Sequence, residues 1–298
     1  MNERSSLDVV VRFHDVRRLY ELDRCLFSLI CQRFRPLRII LATQRFDAKQ
    51  WDETRKSIAR ILHLDPSIEL IWVNYELDRP KDARSYLINE AMGHVHSRFL
   101  AFLDYDDVIY PESYAILVDR LLSSQAAIAF GRIAVKRADI CAEALLVTEK
   151  SIPFVGEGLL DMFRDNFCPI HSYVIDTEAT RGAQLRFDSQ LCFLEDYDFL
   201  LRFCAQYPSD FTRLDTVVGD YYYKSDGSNT MWLDNSVTEE RRAEWMRCLD
   251  IVNMKKKTIL ISPSVQRMLG VAFPNPHLTI EDILKGTDGC GHLMNHLK

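Results

Sequence analysis

The chain has 298 residues, of which 47% are hydrophobic and 27% charged, with 11 glycines and 10 prolines. This composition is typical of a globular protein and excludes a disordered or fibrous chain. The formal net charge of −6 provides no general basic field, so we expect no nucleic-acid partner.

The cysteines and the N-terminus bear on the cellular location. Eight cysteines are scattered without a CxxC pair, which favours reduced, buried thiols over a disulfide framework or a zinc site. The N-terminus has no signal-peptide pattern, and no stretch reaches the roughly 20 apolar residues of a membrane span. We therefore expect a cytoplasmic protein, and leave open both a homodimer and peripheral contact with the inner face of a membrane.

Four strand–helix units follow one another in the first third of the chain. Short apolar, β-branched runs predict the strands, each run is followed by a helical pattern, and the fourth helix begins near Pro111. Parallel strands need crossover connections, which helices usually supply. The alternation therefore predicts an α/β fold with a mostly parallel, Rossmann-like sheet flanked by helices. The predicted strands cover residues 7–13, 36–43, 67–75 and 98–104.

The later part of the chain has a looser, mixed pattern. Strands are predicted over 126–137, 167–179 and 216–226, and helices over 194–207 and 236–257. We expect one domain over 1–234, with halves of about 1–110 and 111–234, and a C-terminal helical extension over 235–298. The lysine run 255–257, near Trp232 and Trp245, is a slight hint of membrane contact. The tail, with Cys290, His292 and His296, is typical of a disordered end rather than a metal site.

An acidic cluster ends the fourth predicted strand. The segment RFLAFLDYDDVIYPE (98–112) places Asp104, Asp106 and Asp107 within four residues. Crowded carboxylates need compensation, and in open α/β sheets ligands bind at the carboxyl ends of the strands. Oxygen ligands of this kind suit Mg²⁺ or Mn²⁺. The alternative is a solvated acidic turn that caps the next helix.

A second acidic cluster begins a predicted helix. FLEDYDFLLRF contains Glu195, Asp196 and Asp198. Two adjacent acids allow one to stay ionised as a general base while the other makes a structural hydrogen bond. The alternative is that acids in a first turn merely favour the positive end of the helix.

Together these segments resemble a family of enzymes. LDVVVRFHD, CLFSLICQRFRPLRIILAT, KDARSYLINEAM, RFLAFLDYDDVIYPESY and LRFDSQLCFLEDYDFLLRF, in this order over about residues 7–230, resemble family 2 glycosyltransferases. The resemblance implies a GT-A fold and inverting transfer from a nucleotide-diphosphate sugar. It also implies a DxD motif after the fourth strand and a catalytic acid in an ED motif.

The resemblance assigns roles on the donor side. It implies that Asp104 approaches the ribose or uridine, that Asp106 binds Mn²⁺ or Mg²⁺ bridging the two phosphates, and that Asp107 is a supporting metal ligand. Arg84, which matches the arginine of an ARN segment, is implied as a donor contact, and so is Arg12.

Two segments depart from the family pattern. GDYYYKSDGSNT resembles the family's YRxHxxS loop, with Lys224 implied as a donor contact and Asp226 at the histidine position. This leaves open whether Asp226 is a metal ligand. After the second strand, Thr43 and Gln44 replace the usual acidic pair that reads the base, with Asp47 as a possible substitute. UDP is therefore only the family default.

On the acceptor side, the resemblance implies Asp196 as the catalytic base, with Glu195 as the second candidate. His171 and Asp198 are weaker candidates for acceptor contacts. The implied reaction moves a sugar to a hydroxyl of a glycan or lipid-linked acceptor, in the synthesis of surface polysaccharide or glycoconjugates.

Two other functions fit parts of the sequence. FLDYDDVI matches the DxDxV pattern of haloacid-dehalogenase-like phosphatases, with Asp104 as nucleophile. However, that motif normally follows the first strand of its fold, whereas three strand–helix units precede it here. A degenerate, non-catalytic GT-A module that binds a sugar or a partner is the third interpretation.

Overall fold

A nine-stranded mixed sheet forms the centre of the computed structural model, which describes residues 6–142, 144–181, 183, 185–229 and 238–287. Its first four strands are parallel, in the order β3-β2-β1-β4. Their bounds nearly coincide with those predicted from the apolar runs, which confirms the parallel part of the fold. These strands are β1 (Leu7–Phe13), β2 (Leu37–Gln44), β3 (Glu69–Tyr75) and β4 (Phe99–Asp104).

Helices cover both faces of this sheet. Alternate residues of β1 point to opposite faces, so that Val9 and Val11 pack in one buried cluster and Val10 in another. The cluster that contains Val9 and Val11 includes residues of three helices on one face: α1 (Leu19–Ile30), α2 (Ala48–Leu62) and α4 (Ser113–Ser123). The cluster that contains Val10 includes residues of α3 (Arg84–Met92), on the opposite face.

The second half of the chain extends the sheet. β8 lies antiparallel between β4 and β6, and the long β9 runs parallel to β6 through several register shifts. The predicted strand over 167–179 is reduced to the four residues of β8, and β9 begins at Ser209, ahead of the predicted start at 216. The elements are β5 (Val108–Ile109), β6 (Ile128–Cys141), β7 (Ala144–Ser151), α5 (Leu159–Arg164), β8 (Tyr173–Asp176), α6 (Glu195–Gln206) and β9 (Ser209–Lys224).

The C-terminal helices share the core of the sheet. α7 (Glu239–Lys256), α8 (Pro263–Met268) and α9 (Ile280–Thr287) each contribute residues to the buried cluster that contains Val10. None of the helices described is long and apolar enough to cross a membrane. The boundary predicted near 235 lies outside the described residues, and so do Trp232, Cys290, His292 and His296.

The predicted basic run at the end of α7 is partly engaged within the fold. Lys255 Nζ lies 2.6 Å from a carboxylate oxygen of Asp188 and 2.6 Å from one of Asp198. Asp198 is fully buried on α6 and is also paired with Arg202 at 2.9 Å. Lys256 Nζ donates to the carbonyl oxygen of Arg164 at 3.0 Å. Lys255 therefore joins α7 to α6.

We expect Lys255→Met to destabilise the protein by about 2 kcal/mol, because Asp198 would keep only one of its two cationic partners in a buried setting. Urea unfolding followed by circular dichroism measures this change. The control is Lys257→Met, which alters an exposed lysine and should change stability by less than about 0.5 kcal/mol. Equal stability of the two variants would contradict the proposed anchoring.

Candidate active site

A cleft of ≈ 740 Å³ opens at the carboxyl ends of β1 and β4. These strands are neighbours, and their register places Arg12 directly beside Asp104. Because both residues end buried apolar strands, their polar ends emerge at the same edge of the sheet. The cleft is lined mainly by charged and polar side chains, which include Arg12, Arg17, Arg18, Arg84, Asp104 and Asp106.

Arg12 joins the two predicted acidic clusters. Its guanidinium donates two hydrogen bonds of 2.6 Å to the carboxylate of Asp104 and one of 2.9 Å to Glu195. Burial alone would raise the pKa of Asp104, but the charge and hydrogen bonds of Arg12 lower it below the usual value. Asp104 is thus held as a carboxylate, and the first half of the chain is tied to the beginning of α6.

Lys224 binds both Asp106 and Glu21. The ammonium nitrogen of Lys224 lies 2.8 Å from Asp106 Oδ2 and 2.8 Å from Glu21 Oε2. Glu21 is fully buried on α1 and also accepts a 2.6 Å hydrogen bond from Arg18, which in turn pairs with Asp226. Burial would lower the pKa of Lys224, but the charge of Asp106 and the hydrogen bonds outweigh this and raise it. Lys224 therefore stays charged.

Asp107 is turned away from the cleft. It is 1% exposed, and its Oδ1 accepts a 2.9 Å hydrogen bond from the backbone N–H of Tyr222. Its Oδ2 lies 3.5 Å from Nδ1 of the buried His171. Burial, together with the nearby charges of Asp106 and Asp104, raises the pKa of Asp107 well above its usual value. The structure therefore brings neither Asp107 nor His171 to the cleft.

The start of α6 separates the roles of its two adjacent acids. Leu194, which precedes the helix, has a left-handed backbone with φ of 60°. Glu195 is buried and bonded to Arg12, whereas Asp196 is only partly buried and lies 3.5 Å from the side-chain amide of Asn166. Burial and the charge of Glu195 raise the pKa of Asp196 to about 6. Asp196 is thus better suited to accept a proton near neutral pH.

Arg84 lies in the cleft at the first position of α3. It pairs with Asp82 at 2.7 Å, and its guanidinium lies 5.5 Å from the centre of the Phe193 ring. Phe193 comes just before α6 and also lines the cleft. Arg84 therefore lies between the start of α3 and the segment before α6, with its guanidinium paired with Asp82.

The segment after β2 presents one polar side chain to the cleft. Thr43 is buried and hydrogen-bonded to β3, and Asp47 accepts the backbone N–H of Gln50 as the N-cap of α2. Gln44 lines the cleft and donates a 2.9 Å hydrogen bond to the carbonyl of Lys81. Of Thr43, Gln44 and Asp47, Gln44 is therefore the one whose side chain lines the cleft, and Asp47 is engaged as a helix cap.

Sequence reasoning missed three contributors to the site. Glu21 and Arg18 were not singled out, although Glu21 is a charged residue four positions before the buried Cys25 on the apolar face of α1. That spacing was the available signal for a buried acid that needs a cationic partner. Asn166, beside Asp196, carried no comparable signal. Conversely, Asp198 was singled out as an acceptor candidate but is buried with Lys255 and Arg202.

The metal predicted at Asp106 and Asp107 does not fit the described side chains. Within the described ranges, no three His, Cys, Asp or Glu residues group closely enough to hold a metal ion. Asp106 is bonded to Lys224, and Asp107 is turned to Tyr222 and His171. Asp226, at the family's histidine position, bonds Arg18 and Ser228. The carboxylates are compensated by protein cations and hydrogen bonds.

Comparisons with known proteins find likeness in structure but not in sequence. No family model and no curated protein matches the chain. Its fold matches that of S. aureus TarS with a TM-score of 0.55 and 13% identity, over 89% of this chain and 42% of that one. S. aureus TarS 1-349 in complex with UDP-GlcNAc matches with a TM-score of 0.60 and 12% identity, over 90% of this chain and 70% of that one.

A mannosyltransferase from Pyrobaculum calidifontis is also similar. PcManGT, solved in complex with GDP-Man and Mn²⁺, matches with a TM-score of 0.50 and 15% identity, over 75% of this chain and 59% of that one. At these identities the likeness establishes the fold. The chain has the mixed α/β architecture of these proteins, and it spans less than half the length of the first TarS chain that it matches.

Proposed function

We propose that this chain is an inverting, family 2-type hexosyltransferase. It would move a sugar from a nucleotide-diphosphate sugar to a hydroxyl of a glycan or lipid-linked acceptor, in the synthesis of surface polysaccharide or glycoconjugates. The observation that carries the proposal is Arg12, which lines the cleft and bonds both Asp104 of the donor-side motif and Glu195 of the acceptor-side motif. The shared fold with TarS bound to UDP-GlcNAc and with PcManGT bound to GDP-Man supports it.

The donor would lie along the carboxyl ends of the strands. Asp104, oriented by Arg12, would accept hydrogen bonds from the ribose, and Gln44 would contact the base. Arg84, Arg18 and the exposed Arg17 line the same cleft, and guanidinium groups match the geometry of phosphate oxygens. UDP is the default base identity, taken from the family resemblance.

The acceptor would react through Asp196. Its carboxylate would take the proton of the acceptor hydroxyl as that oxygen forms a bond to the anomeric carbon. The bond between that carbon and the diphosphate oxygen breaks in the same step, and the diphosphate leaves with the bonding electron pair. A single in-line displacement inverts the anomeric configuration. Arg17, Arg18 and Arg84 would stabilise the charge that develops on the diphosphate.

The phosphatase interpretation is disfavoured by the same contacts. Both carboxylate oxygens of Asp104 accept hydrogen bonds from Arg12, and a carboxylate held in this way is a poor nucleophile. Its motif also follows the fourth strand, β4, and the pair Glu195 and Asp196 would have no role. Transfer activity would distinguish the proposed enzyme from a non-catalytic binding module, which would have none.

We expect a sugar nucleotide to raise the melting temperature, because a ligand that binds the folded state alone stabilises it. A panel of nucleotide sugars, each with Mn²⁺ or Mg²⁺, is scored by the shift in melting temperature and by released nucleotide. One base and one sugar should give the largest values. A panel without any shift would contradict the proposed function, and a shift without released nucleotide in the presence of candidate acceptors would favour the binding module.

Asp196→Asn should lower the rate of transfer by about 10²–10⁴-fold, the usual contribution of a general base. The dissociation constant for the nucleotide should stay within about threefold of the wild-type value, because Asp196 does not contact the donor phosphates in the proposed arrangement. The matched control is Asp119→Asn, an exposed acid on α4, with unchanged rate. Wild-type activity in Asp196→Asn would assign the base elsewhere.

The rate of transfer should rise with pH through about 6, the pKa of Asp196. A general base acts in its deprotonated form, so the rate should fall about tenfold per pH unit below that value and level off above it. Steady-state rates from about pH 4.5 to 8 in constant-ionic-strength buffers, with folding checked at each pH by circular dichroism, measure the profile. A rate independent of pH over this range would contradict the role of Asp196.

A further inference from the structure

Each of the three aspartates in the acidic cluster already has a partner supplied by the protein. Asp104 is paired with Arg12 and Asp106 with Lys224, and Asp107 is buried against the backbone of Tyr222 and His171. Arg12 and Lys224 thus already stand beside Asp104 and Asp106, at positions where a divalent cation would otherwise bind. Each of these two cations is shared with a second carboxylate, Glu195 or Glu21.

The position of Lys224 is the decisive feature. Its side chain is 1% exposed, and its ammonium lies 2.8 Å from Asp106 and 2.8 Å from the fully buried Glu21. A dication bound at Asp106 would have to displace or face this ammonium, and like charges a few ångströms apart repel strongly where little water screens them. Without Lys224, the fully buried Glu21 carboxylate would keep Arg18 as its one cationic partner among the described contacts, so moving Lys224 away is costly.

The loop that carries Lys224 offers no substitute metal ligand. Asp226 is tied to Arg18 and to the hydroxyl and N–H of Ser228. Hydrogen bonds and the charge of Arg18 outweigh the effect of burial and lower the pKa of Asp226 to about 2. The loop therefore contributes a cation next to Asp106 and directs its own acid to the arginine.

Cations of the cleft are placed to receive a diphosphate. Arg17 is 86% exposed and pairs with Asp15. Arg18 and Arg84 are 17% and 22% exposed and line the same cavity as Asp104 and Asp106. Three guanidinium groups from two segments therefore line the cleft. Each of them also pairs with an acid, so a bound diphosphate would share these cations with Asp15, Asp226 and Asp82.

We propose that this chain binds a nucleoside diphosphate without a divalent cation, with the Lys224 ammonium in the cation's place beside Asp106 and with Arg17, Arg18 and Arg84 as the phosphate ligands. This inference rests on the proposed function, since it concerns the donor of that reaction. It assigns to Lys224, the last residue of β9, the role of an internal counter-ion. It also accounts for an aspartate at the family's histidine position, because no metal is left for a histidine to bind.

The test is the affinity of the wild-type, full-length chain for UDP and for GDP, measured by isothermal titration calorimetry after dialysis against EDTA and again with excess Mn²⁺. Of UDP and GDP, we consider the one that binds more tightly. Its dissociation constant in EDTA and its dissociation constant in Mn²⁺ should differ by less than about threefold. Binding that needs Mn²⁺, or is strengthened about tenfold or more by it, would overturn the inference and leave the proposed function intact. Absence of binding in both conditions would overturn the proposed function and the inference together.

Two variants at position 224 test the role of the ammonium. Lys224→Met should weaken diphosphate binding in EDTA by about tenfold or more, and Mn²⁺ should restore it, because Asp106 would then lack its ammonium partner and could attract a dication. Lys224→Arg keeps the charge and should retain binding in EDTA. Lys150→Met, on the exposed face of β7, is the matched control and should behave as wild type. Circular dichroism verifies folding of each variant.

Lys224→Met with wild-type affinity in EDTA would overturn the proposed role of the ammonium. If Lys224→Met does not fold, Lys224→Arg and the wild-type comparison still test the inference, because both proteins keep the buried positive charge at position 224. Electron paramagnetic resonance of Mn²⁺ adds a direct readout. The wild-type chain should leave the spectrum of free Mn²⁺ unchanged, and a bound signal that disappears in Asp106→Asn would overturn the inference.

Discussion

The contact on which the site depends is the guanidinium of Arg12 between Asp104 and Glu195. These two carboxylates come from segments 91 positions apart in the sequence, at the end of β4 and the start of α6. Without the cation between them, two buried acids would repel each other and push apart the edges of the cleft. The position of Arg12 follows from the parallel pairing of β1 with β4, so the sheet register determines the electrostatics of the site.

The first half of the fold could be predicted because its signals are local. Continuous apolar, β-branched runs such as 7–13 form strands buried on both faces, and their alternation with helical patterns restricts the topology. The second half is determined by non-local pairing. β9 begins with polar residues from Ser209 onward and keeps its place through register shifts against β6, which the pattern of a single segment does not encode. The C-terminal helices likewise contribute to a core that contains Val10.

The candidate site also has one part that local sequence signals predict and another part that depends on non-local contacts. Asp104, Asp106 and the pair Glu195–Asp196 were predicted, because acids after an apolar run or at the start of a helix stand out in the sequence. Their partners were harder to predict. The contact between Lys224 and Glu21 spans 203 positions, and whether a carboxylate such as Asp107 faces a cleft or the core depends on the turn that carries it. Sequence patterns thus located the charges, and the folded chain determined which of them neutralise one another.

The left-handed backbone of Leu194 also helps to determine the directions of the charged side chains. A left-handed backbone costs a residue with a branched side chain about 1–2 kcal/mol relative to the right-handed form, and such strain persists only where the surroundings enforce it. Here it lies directly before Glu195 and Asp196. The bend sets the direction in which α6 leaves the loop, and with it the divergence of two neighbouring carboxylates, one toward Arg12 and one toward Asn166. A more relaxed turn would give the chain greater stability but would fix the directions of these two carboxylates less firmly.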